Sequence, residues 1–328
     1  MKKKLILLVL LCVVSITAMS AEPSYKIIRR LPLGAATKWD FTAIDAVRQR
    51  LFVTRGDHVD VVEIPSGKMA GTIPNTRGVH GVAFAQDMKL GFTSNGIANT
   101  VTAFNLDTMQ TIAEIAMTGR KPDAILYEPS VHKLYVFNGG SSTVDVVDVA
   151  SLKVVDTIKA TGIPEFAVSD GRRIYFNVED NAEINVIDAA SNRRVASWKL
   201  DGCTGPTGLA LDQLHARLFS ACNNGVMTVT DATSGRHVAQ FAIGEHPDAA
   251  VYDADNKTVI ASCGGGAGTL SIASQDDPDH YTVLESVVTE KNAKTMAMDM
   301  ESKTVYLPTV VDGSFIMVVA SRQNRSVP

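Results

Sequence analysis

Hydrophobic and polar residues alternate along this chain in short runs, and no stretch keeps the period of a helix. Val144-Asp145-Val146-Val147-Asp148 and Ile184-Asn185-Val186-Ile187-Asp188 are typical. Alternation with period two is the pattern of a strand with one buried face. Between the runs stand turns rich in Gly and Asn, such as Asn95-Gly96, Asn138-Gly139-Gly140 and Asn223-Asn224-Gly225. Those residues tolerate the positive φ that tight hairpins need. The chain therefore reads as all-β.

The runs repeat. Pro122, Pro164, Pro206 and Pro247 recur at intervals of 42, 42 and 41 residues, and each opens an apolar strand with an acidic residue six positions on: Glu128, Asp170, Asp212 and Asp253. Trp39, His80 and Ala293 hold the same place before Asp45, Gln86 and Asp299, giving seven copies. A basic residue then introduces a second strand, for example Arg50 before Leu51-Phe52-Val53 and Lys133 before Leu134-Tyr135-Val136. After the alternating third strand, Lys68, Gln110, Lys153, Arg193 or Arg236 opens a fourth. A period near forty residues with four short strands per copy predicts a seven-bladed β-propeller of antiparallel blades.

The seventh copy shows strands near 294–300, 304–310 and 314–320, then only a polar tail, and so lacks its fourth. Tyr25 to Leu31 resembles the fourth strand of the other copies. Pairing it with the last blade closes the ring and removes an exposed sheet edge. Closure also leads us to expect a monomer.

Residues 1–21 stand apart. Lys2, Lys3 and Lys4 precede an apolar run from Leu5 to Met19, and small residues follow at Ala18, Ser20 and Ala21. This is the layout of a signal peptide. The run is shorter than the roughly twenty residues of a spanning helix, so no membrane span is expected after its removal. Residues 22–328 then form a single propeller domain in the periplasm or outside the cell.

The stretch at 133–158, Lys-Leu-Tyr-Val, then Asn-Gly, then Val-Asp-Val-Val-Asp, then Lys-Val-Val-Asp-Thr-Ile, resembles the YVTN-type bacterial β-propeller repeat. The resemblance covers the mature chain and implies an extracytoplasmic seven-bladed propeller. It carries no catalytic motif. Fold alone does not carry function.

With 31 Lys and Arg against 35 Asp and Glu, the net charge is −4. Nucleic acid is not expected as a partner, because phosphate binding wants a basic field. The chemistry of the chain is instead acidic and local. Just after the repeat anchor stand Asp40, Gly81, Asp123, Glu165, Thr207, Asp248 and Lys294, residues that a propeller would set around the mouth of its central channel. His80 and His246 stand just before this ring, ahead of Gly81 and Asp248. Such a rim suits a cation or a polar ligand, and Asp123, Glu165, Asp248 and His246 are candidate ligands for a divalent metal. The plainer expectation is that most of these acids cap backbone N–H groups of their own loops.

Three cysteines remain in the mature chain. Cys203 enters the fifth blade and Cys222 ends its second strand, so a Cys203–Cys222 disulfide is expected, with Cys263 unpaired. A Cys/His metal site is the alternative. The sequence holds no Cys-x-x-Cys-His, no Gly-x-Ser-x-Gly and no phosphate-cradling glycine loop. Only Trp39 and Trp198 occur, which counts against quinone-cofactor propellers with a Trp in every blade. No cofactor is expected beyond that divalent metal. The residues fit a non-enzymatic binding scaffold that holds a small polar ligand, a peptide or a protein partner at the channel mouth. The alternative is a lactonase-type hydrolase using metal held by the rim carboxylates.

Overall fold

A computed structural model of the chain describes residues 25–323. Among these residues the strands form seven four-stranded antiparallel sheets, each built from strands consecutive in sequence except the last. The inner strands are Thr42–Asp45, Val79–Ala85, Pro122–Glu128, Pro164–Ser169, Pro206–Asp212, Pro247–Asp253 and Ala297–Asp299. No helix among the described residues is long and apolar enough to cross a membrane. The proposed signal segment lies outside the described residues.

The middle strands are buried on both faces rather than the one that alternation suggests, because each blade is sandwiched between two others: Leu134 and Val136 pack toward the second blade and Tyr135 and Phe137 toward the fourth. Tyr135, Phe137, Val144 and Val146 of the third blade, for example, join Ile174 and Phe176 of the fourth in one cluster. Each blade thus shares its core with the next, and no blade buries its apolar face alone.

The seventh blade has the order Tyr25–Ala35, Ser314–Arg322, Thr304–Val311, Ala297–Asp299. The N-terminal strand pairs antiparallel with the C-terminal one, from Tyr25 opposite Arg322 to Ala35 opposite Ser314. It is longer than the run from Tyr25 to Leu31 suggested by sequence. Tyr25 is fully buried beside Val305, Val318 and Ala320.

The acids that end the inner strands hold the turns that follow. Asp45 Oδ1 accepts from the backbone N–H groups of Val47 and Arg48 at 3.1 and 3.2 Å. Asp170 does the same for Arg172 and Arg173, and Asp212 for Leu214 and His215. The repeated acidic residue is therefore a turn cap.

Cys203 and Cys222 are bonded, with Cα atoms 5.5 Å apart, and Cys263 is free and buried. The bridge ties the loop entering the fifth blade to the end of its second strand.

Deleting the chain through Leu33 should expose the edge of Ser314–Arg322 and remove Tyr25 and Ile27 from the core. At about 1.5–3 kcal/mol per buried side chain and about 2–4 °C per kcal/mol, the melting temperature should fall by roughly 10 °C or more. Size-exclusion chromatography should show association through the new edge. A monomer with an unchanged melting temperature would contradict closure by this strand.

Candidate functional site

At one end of the channel the loops entering the inner strands surround a cavity of about 420 Å³. Asp40, His80, Asp123, Glu165, Thr207, Asp248 and Lys294 all line it, as does His246. Six of the seven positions read around the ring from sequence thus fall on one wall. The exception is Gly81, because Val79 pairs with Asn95 as Pro122 does with Asn138, and His80 takes the ring position of the second blade.

The inner strands are fixed against each other by a repeated device. Ser94, Asn177 and Ser262 hold the same register near the ends of their second strands and are fully buried. Each donates to the main-chain carbonyl of the ring residue in the next blade: Asp123, Thr207 and Lys294 respectively. Thr207 Oγ1 donates onward to Pro247 O at 2.7 Å, and Thr295 Oγ1 to Asp40 O at 2.9 Å. Satisfied buried hydrogen bonds of this kind rigidify what they connect.

The ring's carboxylates are not turn caps. No backbone N–H among the described residues donates to the side chains of Asp40, Asp123, Glu165 or Asp248, contrary to the capping expectation. The reason is local. The loop N–H groups are already taken, as where Asp40 N donates to Thr54 Oγ1 and Gly81 N to Ser94 Oγ. The side chains are left to face the cavity.

They meet too little positive charge there. Asp40 Oδ2 lies 2.5 Å from His80 Nδ1, and Asp248 Oδ2 2.6 Å from Lys294 Nζ. Asp123 has only the longer approaches of His80 at 3.6 Å and Lys121 at 3.9 Å. Glu165 has no hydrogen bond or ion pair among the described residues. Burial, reinforced by the charges of Asp123 and Asp248, pushes its carboxyl up to about 9. Burial also raises Asp40 above the ordinary carboxylate range despite the opposing hydrogen bond from His80. Asp123 and Asp248 are raised mainly by burial as well. Burial disfavours the His80 imidazolium, but the Asp40 hydrogen bond and the nearby carboxylates outweigh it and raise its pKa.

Sequence reasoning missed Lys121, Glu179 and Asn223, which also line the cavity. A signal existed. Glu179 and Asn223 follow the second strands of their blades, where Gly96, Gly139 and Gly264 stand in others. Gly96 has its own purpose, because a Cβ there would come within 2.8 Å of the His80 ring. The two histidines that look alike in sequence differ in space, since His80 is half-buried among carboxylates while His246 is exposed.

Further along the channel Phe41 and Phe166, with ring centroids 5.3 Å apart, stand between the acidic mouth and a second cavity. That cavity, of about 480 Å³, is lined largely by apolar residues including Leu126, Val168, Leu211, Val251 and Met298.

Solved structures share this architecture. The chain is similar to a chain of the mitotic checkpoint complex at a TM-score of 0.80 and 13% identity, covering 99% of this chain and 100% of that one. It is similar to the RRP9 WD40 repeats at 0.77 and 10%, covering 92% and 98%. It is also similar to Kuenenia stuttgartiensis hydrazine synthase at 0.75 and 15%, covering 95% and 99%. The chain is a seven-bladed propeller with WD40-like structural neighbours. At these identities the likeness is one of fold. No family model matches the sequence, and no curated protein does.

Glu165 holds its proton far above the ordinary value of 4.5 when the chain is folded. Between pH 4.5 and about 9 the folded protein therefore binds a proton that the unfolded chain has released. Its contribution to stability is complete below that window and is lost as pH rises through it. Glu165→Gln keeps the neutral shape without the titration. Its melting temperature should fall less between pH 5 and pH 9 than that of the parent, as followed by circular dichroism. Equal falls in the two proteins would show that Glu165 is ionised in the fold.

Proposed function

We propose that this chain is an exported, non-catalytic binding propeller whose acidic channel mouth receives a positively charged group of a small ligand, a peptide or a protein partner. The observation that carries the reading is carboxyl groups in excess of cationic ones. Asp40, Asp123, Glu165, Glu179 and Asp248 face one cavity with two lysines, Lys121 and Lys294, and two histidines, His80 and His246, beside them, and Glu165 is unpaired among the described residues. Clustered buried carboxylates repel one another, and a bound cation relieves the repulsion.

Export is supported by the basic and apolar N-terminal pattern and by the Cys203–Cys222 bridge, since disulfides persist in oxidising compartments. The resemblance to YVTN-type repeats points the same way. A protein partner is favoured by the similar solved structures, one of which bears the name of a complex and another that of WD40 repeats. A lactonase-type hydrolase would employ the same carboxylates.

Thermal-shift measurements with spermidine and a short lysine peptide, against an acetylated peptide and gluconolactone, test the reading. A cation at about a hundred times its Kd should add about 2.7 kcal/mol of stability. The shift should shrink in Asp123→Asn and Glu165→Gln and at high salt. Equal shifts with the uncharged peptide, or no shift with any cation, would overturn the proposal. Turnover of the lactone would favour the hydrolase instead.

A further inference from the structure

Resting on that reading and narrowing it, we infer that the mouth holds a divalent cation of the first transition row between Asp40, His80 and Asp123. The three residues come from the first three blades, and one ligand atom from each lies within 4.8 Å of the others. His80 Nδ1 stands 2.5 Å from Asp40 Oδ2 and 3.6 Å from Asp123 Oδ1. Imidazole nitrogen and carboxylate oxygen bind Zn²⁺ at about 2.0–2.2 Å. A triangle of this size admits such an ion once the Asp40–His80 contact opens slightly.

A second observation separates this group from an ordinary acidic patch. Asp123 is only 8% exposed, lines the cavity and accepts no hydrogen bond among the described residues, its nearest cations, His80 and Lys121, standing off at 3.6 and 3.9 Å. A buried carboxylate without a donor is costly unless something completes it. Its main chain is meanwhile pinned, with Ser94 Oγ donating to Asp123 O. The backbone of Asp40 is held from both sides by Thr54 and Thr295. Outer contacts of this kind orient metal ligands.

The donor set decides the class of ion. An imidazole with two carboxylates suits Mn²⁺, Fe²⁺, Co²⁺ or Zn²⁺, whereas Ca²⁺ and Mg²⁺ prefer oxygen throughout. On binding, His80 coordinates through Nδ1 and releases the proton held there to solvent, leaving a neutral ring protonated at Nε2. The ion's remaining positions face the cavity, where water or an oxygen of a ligand can take them.

Protein stripped with a chelator and dialysed would be titrated with Zn²⁺, Mn²⁺, Ca²⁺ and Mg²⁺ by calorimetry, with stoichiometry checked by native mass spectrometry. We expect one equivalent of Zn²⁺ or Mn²⁺. Affinity should fall by about tenfold or more in His80→Gln and in Asp123→Asn, and should hold in His280→Gln, a surface control. Cooperative melting of each variant checks that it folds. Absence of a stoichiometric ion, preference for Ca²⁺ or Mg²⁺, or affinity indifferent to His80→Gln would overturn the assignment. If spermidine still binds in those cases, the metal assignment falls and the binding reading stands. If neither spermidine nor metal binds, both fall.

Discussion

The pairing of Tyr25–Ala35 with Ser314–Arg322 is the contact on which the whole structure depends, because it joins the two ends of the described chain within one blade. A propeller blade cannot bury its own apolar face, so each needs a neighbour on either side. An open row of seven would leave a bare face at each end. Closing the row into a ring removes both. It also fixes how far each inner strand stands from the channel axis.

That fixed geometry creates the chemistry of the mouth. Acids at the far ends of the inner strands, such as Asp45 and Asp212, relax into backbone caps and basic partners. The acids at the near ends have no such outlet. Buried hydrogen bonds from Ser94, Asn177 and Ser262 lock their main chain or that of their neighbours, and the loop N–H groups bond elsewhere. Their repulsion is held in place by the ring, and the burial that excludes water strengthens it.

Much of this was legible in the sequence. The prolines at a spacing of about one blade set the register, and the residue after each of them could be placed on one wall of the channel. The partnering of those residues was not legible. Turn-capping and channel-facing acids look the same in a repeat, and what separates them is whether neighbouring N–H groups are already bonded. His80 and His246 both stand near the ring in sequence, yet His80 follows Val79, which pairs as Pro247 does, while His246 precedes Pro247, and only His80 has carboxylates from two other blades within reach. Contacts between blades join residues some forty positions apart, and strand periodicity carries no information about them. Glu179 escaped notice because it stands where a turn glycine is usual.

The account stands on carboxylates kept short of positive charge, with Glu165 the most deprived. Carboxyl-labelled glutamate observed by carbon-13 NMR across a pH titration of the metal-free, ligand-free protein reads that state directly. We predict one glutamate resonance that titrates near pH 9 and is missing from Glu165→Gln. A spectrum in which every glutamate titrates close to the ordinary value of 4.5 would contradict it.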